Sequence, residues 1–408
     1  MPIIVNNQKN TKMSYIGEYI NRRMSSIDLE KELLELIGKY NRYRNSYLIV
    51  YAGAIGKLIP DVTISMDDYY LIYDMLNNVS SPKLDFYIET PGGSGEAAEE
   101  IVTFLRSKFS NVEFVVSGEA KSAGTLMVLS GDEILMTKSG SLGPIDAQIK
   151  VGRSIVSAYD YIEWIDQKRK EAEKNEKLNP FDATMIAQIS PGELSGVMHS
   201  LKFAEDLVVG WLPKYKFKNW NVTETRKIQV TQEMKEKRAK EIAEILTNHS
   251  KWRSHGRSIK IEDLANEVHL IVKKIDDNSQ LSDIVYRIQA IVKLLFGSTN
   301  VYKIFATEKE KIFKNATPVE NVPRIPRGIV PSKVAVVDVE VVCQKCGKPQ
   351  KLYAKFVPDK KIDDDFTKKG HKEFPRDNKF KCDCGFEMDI GGIRNQIESQ
   401  VGKKIVAS

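Results

Sequence analysis

The chain has 408 residues, of which 42% are hydrophobic and 28% are charged, the composition of an ordinary globular protein. The net charge of +6, from 61 basic and 55 acidic residues, is too small to indicate nucleic-acid binding by itself. Residues 1–26 lack the apolar core and cleavage site of a secretory signal. The longest apolar stretch, 47–55, is about half a membrane span. We therefore expect a soluble, cytoplasmic protein with two or three domains.

The first segment, residues 1–45, is predicted to be helical. Ser25 and Asp28 have the spacing of a capping box, and leucine and isoleucine side chains between positions 29 and 37 form an apolar stripe. We expect a helix that packs on the main domain or on another copy of the chain.

Residues 46–275 alternate between strand and helix and are predicted to form the main domain. Residues 47–51 (YLIVY) form a continuous apolar strand of the kind that is buried on both faces. Helices are predicted between this strand and the further strands at 85–88, 113–116 and 133–136. Such alternation predicts an α/β fold with a parallel-sheet core, right-handed crossovers and added helices.

Two glycine-rich turns follow neighbouring predicted strands, at 91–95 (PGGSG) and 118–124 (GEAKSAG). The second presents Ser122 where a strand turns into a helix, a position that exposes a hydroxyl and leaves backbone N–H groups free. Acyl transfer needs a nucleophile and donors for the oxyanion. Ser122 is the candidate nucleophile, and the N–H groups of Gly93 and Ala123 are the candidate donors. Both turns should meet in one crevice at the sheet edge.

Residues 88–94 (IETPGGS) and 120–125 (AKSAGT) resemble the Clp-fold serine peptidases, which include the Clp protease proteolytic subunit and the signal peptide peptidase A group. Residues 141–148 (SLGPIDAQ) narrow the resemblance to the serine dehydrogenase proteinase branch. The resemblance implies a Clp/crotonase-like fold, ATP-independent hydrolysis of peptide bonds in protein or peptide substrates, and assembly into homo-oligomers. It also implies that Ser122 is the nucleophile of a serine-type peptidase.

The general base is left open by the sequence. The Clp proteolytic subunit uses a histidine soon after its nucleophile helix, but no histidine lies between Ser122 and His199. The order Ser, Asp, His of the serine dehydrogenase proteinases maps Asp146 as the orienting carboxylate. By the same resemblance His255, in the Trp-containing segment 252–259 (WRSHGRSI), is the base, and His199 is the next choice.

A lysine is the alternative base, as in the signal peptide peptidases, provided that burial lowers its pKa. Lys202, on the apolar-faced helix predicted at 194–209, is the best such candidate but ranks below His255. Lys121 should point away from Ser122 because neighbouring residues at a strand end face opposite ways. Lys168 lies in a charged helix and is expected to be solvated.

Two segments follow the main domain. Residues 276–313 are predicted to be a helical extension. Residues 314–333 contain four prolines and are predicted to be a linker, because helices and central strands tolerate proline poorly.

Residues 334–408 are predicted to form a small zinc-ribbon-like domain. All of the chain's cysteines lie here, in a Cys-x-x-Cys pair and a Cys-x-Cys pair, each followed by glycine: Cys343, Cys346, Cys382 and Cys384. In a reducing compartment such pairs predict a structural Zn²⁺ site closed by four thiolates. His371 is a spare ligand candidate.

The alternative function is a catalytically inactive scaffold that keeps the fold and binds protein or nucleic acid through the zinc ribbon. The missing histidine near Ser122 and the lysine-rich segment 345–381 favour it. An acyl-CoA enzyme of the crotonase class is a weaker option, since Ser122 has no evident role there.

Overall fold

The computed structural model describes residues 14–151, 154–223, 225–316, 334–343, 345–401 and 403–406. The chain forms two compact units, one made of the described residues up to Ala316 and one of those from Val334 onward. None of the helices in these ranges is long and apolar enough to span a membrane.

The first unit is a mixed α/β structure. Its helices are α1 (Tyr15–Asn21), α2 (Ser26–Arg44), α3 (Met66–Asn77), α4 (Gly95–Lys108), α5 (Ala123–Leu129), α6 (Ala158–Asn175), α7 (Pro180–Ile186), α8 (Pro191–Lys214), α9 (Gln232–Thr247), α10 (His249–Trp252), α11 (Ile261–Asp263) and α12 (Ser279–Ser298). Its strands are β1 (Tyr47–Gly53), β2 (Lys83–Glu89), β3 (Asn111–Val116), β4 (Glu119–Ala120), β5 (Glu133–Met136), β6 (Ser141–Leu142), β7 (Gln148–Val151), β8 (Ser154–Ser157), β9 (Lys273–Lys274), β10 (Val301–Ala306) and β11 (Lys311–Asn315).

The main sheet has the strand order β11-β10-β1-β2-β3-β5-β9. Neighbouring strands from β1 to β9 run parallel, whereas β10 pairs antiparallel with both β1 and β11. β1, β2 and β3 are buried along almost their whole length, because helices cover both faces of the sheet. The predicted strands and their parallel order are confirmed, and a parallel-rich sheet of this kind fits a ClpP-like fold.

Two helical layers enclose the sheet. One face packs against side chains of α3, α4, α5, α8 and α9, including Ile72, Ile101 and Leu246. The other packs against α1, α2 and α12. The N-terminal segment and α12 therefore share one layer of the first unit rather than forming separate parts. The predicted capping box is confirmed, since Ser25 N–H donates to Asp28 Oδ2 at 3.0 Å.

The prediction of a wholly helical extension over 276–313 is wrong beyond α12. Residues from 301 onward form the β10–β11 hairpin, because two runs of aromatic and β-branched residues flank a short polar turn. Lys303 obscured this pattern in the sequence. Its side chain is fully buried, and its ammonium bonds the buried Asp68 carboxylate at 2.8 Å, so it occupies an interior strand position.

The predicted linker starts too early. Lys314 and Asn315 belong to β11, where they continue the hairpin. The rest of that prediction, 317–333, lies outside the described residues.

The second unit contains β12 (Val336–Val342), β13 (Pro349–Lys355), α13 (Lys360–Lys368), β14 (Lys372–Glu373), β15 (Lys379–Lys381), β16 (Glu387–Asp389) and α14 (Gly391–Val401). β12 and β13 form one antiparallel hairpin, and β15 and β16 form a second. Both hairpins contribute to one small core, which includes Phe374, Cys343 and Cys382.

Candidate active site and metal centre

Ser122 lies at the junction of β4 and α5 in a backbone conformation that L-residues rarely adopt. Its φ of 49° and ψ of −117° belong to a sharp strand-to-helix turn, and such strain costs on the order of 1–3 kcal/mol. The side chain is half-buried and lines a cavity of about 800 Å³. The prediction that this turn presents the hydroxyl to a crevice fits this geometry.

The glycine-rich turn after β2 lies directly beside Ser122. A Cβ on Gly92 would come within 2.7 Å of Ser122 Cβ, and a Cβ on Gly93 would lie 2.4 Å from the backbone N and O of Ile64. Both glycines have positive φ, 103° and 150°. Ile64 holds the turn in place through two backbone hydrogen bonds. Its N–H donates to Gly92 O at 2.7 Å, and its carbonyl accepts from Ser94 N–H at 3.0 Å.

The two candidate oxyanion donors lie on the cavity wall. Gly93 and Ala123 both line the cavity, and neither backbone N–H donates a hydrogen bond to any residue that the structure describes. For Ala123 this follows from its place in the first turn of α5, where N–H groups have no intrahelical acceptor. The arrangement suits a developing negative charge beside Ser122 Oγ.

Asp146 and His255 form a hydrogen-bonded pair at the same cavity. His255 Nδ1 lies 2.8 Å from Asp146 Oδ1 and, because an ionised carboxylate only accepts, Nδ1 carries the proton. The other ring nitrogen, Nε2, is then free to accept a proton. Both residues line the cavity with Ser122, although no hydrogen bond joins His255 to the Ser122 hydroxyl in this structure. Such bonds often tighten only when substrate binds.

The Asp146 carboxylate is almost completely buried and has a second imidazole partner. His249 Nδ1 lies 2.8 Å from Asp146 Oδ2, and Gln148 Nε2 donates to the same oxygen at 3.0 Å. Burial alone would raise the pKa of Asp146, but the hydrogen bonds from His255, His249 and Ser157 outweigh it and hold the pKa below its ordinary value. Asp146 is therefore ionised at neutral pH.

Sequence reasoning missed His249. It begins the short helix α10, and the contact with Asp146 spans 103 positions of the chain. His249 does not line the cavity, whereas His255 does, so His255 is the better placed of the two to act on a substrate. The available signal was the presence of two histidines flanking the buried Trp252, whose indole donates to Ile245 O at 2.8 Å.

The other candidate bases have different surroundings. His199 and Lys202 line the cavity from α8, but both are exposed, so Lys202 lacks the burial that a lysine base requires. Lys168 is ion-paired with Glu171 and Asp182, and the hydrogen bonds to these carboxylates raise its pKa. The Lys121 ammonium bonds residues of two other segments rather than Ser122.

Comparison with known proteins places this region in a family. Residues 62–188 match the family described as the ClpP-like SDH-type serine proteinase. The match includes both glycine-rich turns, Ser122 and Asp146, and it ends before His255. The recognition of a serine dehydrogenase proteinase from the sequence is thereby confirmed.

Individual relatives are matched over shorter stretches. Two uncharacterized proteins of Methanocaldococcus jannaschii, MJ1495 and MJ0137, are 37% identical over 78 residues and 38% over 66. These stretches cover 19% and 16% of this chain, and 27% and 23% of the relatives. The chain thus spans about a quarter of the length of each curated relative.

Two solved structures are also similar in part. They are the 1510-N membrane-bound stomatin-specific protease as its S97A mutant, and as its K138A mutant in complex with a substrate peptide, at 21% and 22% identity. Each covers 28% of this chain with a TM-score of 0.22, and the matched parts amount to 61% and 57% of those proteins.

The four cysteines of the second unit form a cluster that could hold a metal ion. They occupy the tips of the β12–β13 and β15–β16 hairpins, and their sulfur atoms lie within 4.8 Å of one another. Across the cluster, the Sγ atoms of Cys343 and Cys384 are 3.7 Å apart, and those of Cys346 and Cys382 are 3.8 Å apart. His371 is not part of this group.

These separations fit a tetrahedral four-thiolate site. With Zn–S bonds of about 2.3 Å, the sulfurs of a tetrahedron lie about 3.8 Å apart. The surrounding backbone also supplies donors to sulfur, since N–H groups of Cys346 and Lys345 hydrogen-bond the Cys343 thiol and that of Cys384 hydrogen-bonds the Cys382 thiol. The sulfur separations and the backbone hydrogen bonds to sulfur are both features that a bound cation would require of its four ligands.

Proposed function

We propose that the protein is a serine peptidase that hydrolyses peptide bonds in peptide or protein substrates without ATP. The observation that carries this proposal is the shared cavity, which is lined by Ser122, by the Asp146-bonded His255 and by Gly93 and Ala123. The family match over residues 62–188 supports serine peptidase activity independently of that geometry.

In the proposed mechanism, Ser122 Oγ attacks the scissile carbonyl while His255 Nε2 takes the hydroxyl proton. The N–H groups of Gly93 and Ala123 stabilise the tetrahedral oxyanion. As the C–N bond breaks, His255 returns the proton to the leaving amine, and an acyl ester remains on Ser122. Water then attacks this ester by the same route and releases the acid. Asp146 holds the Nδ1–H tautomer and stabilises the imidazolium throughout.

The proposal also covers the location, the assembly and the metal site of the protein. We assign it to the cytoplasm as a homo-oligomer, with the cysteine cluster holding a structural Zn²⁺ in a zinc ribbon. The four clustered cysteines form no disulfide among the described residues, which fits a reducing compartment in which thiolates bind metal. A site closed by four thiolates has no open position, so the metal supplies folding energy rather than hydrolytic chemistry.

Ser122→Ala should abolish covalent labelling of the full-length protein by a fluorophosphonate probe and abolish cleavage of an unstructured protein substrate. Only the hydroxyl group is removed, so the fold should persist. Label incorporation by mass spectrometry and product peptides from the substrate are the measurements.

Ser200→Ala is the matched control, because Ser200 also lines the cavity but bonds the carbonyl of Gly196 at 3.0 Å within α8. It should keep both labelling and cleavage. Equal labelling of the wild type and Ser122→Ala would refute the proposal, and so would absence of labelling in the wild type. Salt-dependent nucleic-acid binding by an unlabelled wild-type protein would favour the scaffold alternative.

Gly93→Ala should slow labelling of Ser122 by about 10²–10³-fold, the effect of losing one oxyanion donor. The new Cβ would lie 2.4 Å from the backbone of Ile64, so the turn must move and carry its N–H with it. The measurements are the second-order labelling rate and the melting temperature.

Gly56→Ala controls for the conformational cost of alanine at positive φ. Gly56 has a φ of 97°, and a Cβ added there would meet no atom of the described residues within 4 Å. This variant should lose some thermal stability but label at the wild-type rate. A Gly93→Ala protein that labels as fast as Gly56→Ala would remove Gly93 from the oxyanion hole.

A further inference from the structure

Lys121, the residue directly before the candidate nucleophile, is buried and bonds four acceptors. Its Nζ lies 3.3 Å from Ser141 Oγ, 3.1 Å from Leu142 O, 3.2 Å from Arg257 O and 2.9 Å from Ser258 Oγ. An ammonium group has three hydrogens, so these four acceptors saturate it. Lysines are almost never fully buried unless they are paired, and Lys121 is paired with these acceptors.

The acceptors come from the two segments that carry the proposed base and its carboxylate. One pair lies in β6, four to five residues before Asp146, and the other lies two to three residues after His255. Backbone bonds join the same segments, since the N–H of Leu142 donates to Ile259 O at 3.0 Å and the N–H of Ile259 donates to Leu142 O at 2.9 Å. The Lys121 ammonium therefore sits where the two segments meet.

The segment before Asp146 is also fitted to the Lys121 stem. A Cβ on Gly143 would lie 2.8 Å from Lys121 Cδ, so only glycine leaves room for the lysine chain. On the other side of Ser122, the Thr125 hydroxyl donates to Ala120 O at 2.7 Å and accepts from Gly143 N–H at 3.0 Å. The residues that flank the nucleophile thus hold one loop from two sides.

Lys121 is not itself placed to act as the base. Burial lowers the pKa of Lys121, the direction that a lysine base needs, and Glu119 at 3.8 Å opposes this shift. However, every hydrogen of the ammonium is directed to acceptors in other segments, and no hydrogen bond reaches Ser122. A base needs a lone pair aimed at the serine hydroxyl.

We propose that Lys121 is a positioning residue that sets the location of the Asp146–His255 pair relative to Ser122. The inference rests on the proposed function, because it assigns His255 as the base. A shift of about 1 Å between reacting groups can cost about 10²-fold in rate. Removing the ammonium takes a donor from all four acceptors, and of these Leu142 O keeps the N–H of Ile259. The two segments must then move apart or admit water where the other acceptors lie.

The test is Lys121→Met in the full-length protein, which keeps most of the stem and removes the ammonium. Labelling of Ser122 by the fluorophosphonate should slow by about 10²-fold. Lys260→Met is the matched control. The Lys260 Nζ bonds the carbonyls of Ser139 and Gly140, so it joins the same two segments through residues that do not adjoin Ser122. Lys260→Met should lose stability but label within a few-fold of the wild type.

A second readout does not depend on activity. The chain has five histidines, so the Nδ1–H signals of ¹⁵N-histidine-labelled protein can be assigned with His255→Gln. In Lys121→Met, the His255 Nδ1–H signal should broaden or vanish through faster exchange, whereas Lys260→Met should keep it. Wild-type labelling together with an unchanged His255 signal in Lys121→Met would overturn the inference.

Two further outcomes are informative. If Lys121→Met does not fold, Ser258→Ala removes a single acceptor and should slow labelling several-fold, and a wild-type rate in that variant would count against the inference. If the wild-type protein is never labelled, the proposed peptidase function fails. The His255 signal alone then decides whether Lys121 holds the histidine in place.

Discussion

Asp146→Asn should slow acylation of Ser122 by about 10⁴-fold while the protein stays folded. The asparagine side chain fills the same space, but its amide cannot accept from both His255 Nδ1 and His249 Nδ1 as the carboxylate does. His255 then loses the tautomer that leaves Nε2 free and the charge that stabilises its protonated form. The labelling rate at pH 7 measures the effect.

The same assay separates the two candidate bases. Lys202→Met should label within a few-fold of the wild type, because the Lys202 side chain is exposed at the cavity. If Lys202→Met were inactive and Asp146→Asn fully active, lysine would be the base and the role assigned to His255 would be wrong.

Asp146→Asn should also alter acid unfolding. The folded pKa of Asp146 is lowered, so its carboxylate stabilises the fold fully above the unfolded-state pKa of about 3.9. That stabilisation is lost as the pH falls through the lower folded-state value. The asparagine variant lacks this dependence, so its free energy of unfolding should change less steeply with pH in that acidic range.

Loss of the metal should unfold the second unit and leave the first folded. Structural zinc contributes about 10–16 kcal/mol in small zinc-binding peptides, and the second unit has only a small core, part of which is Cys343 and Cys382. Cys343→Ser, or a strong chelator on the wild type, should remove one metal ion per chain. Metal analysis and hydrogen exchange of the full-length protein are the measurements.

The control for this prediction is His371→Gln. His371 lies outside the cysteine group, so this variant should keep one metal ion per chain and normal exchange protection from Val334 onward. A metal-free protein whose second unit exchanges as slowly as the wild type would show that the cysteines stabilise the unit without a cation. Bound iron in place of zinc would correct the metal assignment.

The sequence predicted the elements that depend on local pattern. The strands β1, β2, β3 and β5 follow from short apolar runs between glycine-rich turns, and Ser122 was placed correctly at the start of α5. Such signals are local because a strand exit, a tight turn and a helix start each need particular residues within a few positions.

The sequence could not predict contacts between distant positions. Asp146 bonds His249 and His255 across 103 and 109 residues, and neither spacing carries a pattern. The pairing with His255 was expected from the family resemblance alone, and the contact with His249 was missed. Two lysines show the same limit. Lys303 reads as a surface residue although it pairs with Asp68 in the core, and the role of Lys121 depends on segments that meet it only in the folded protein.

The long separation between Asp146 and His255 has a consequence for protein synthesis. The ribosome releases Ser122, its turn and Asp146 well before His255, the proposed proton acceptor. An emerging chain that ends before Ile259 lacks the backbone pairing of Ile259 with Leu142, so the segment that carries His255 is without this attachment. Under the proposed mechanism, a newly made chain therefore gains the ability to cleave peptide bonds only when the segment that carries His255 docks.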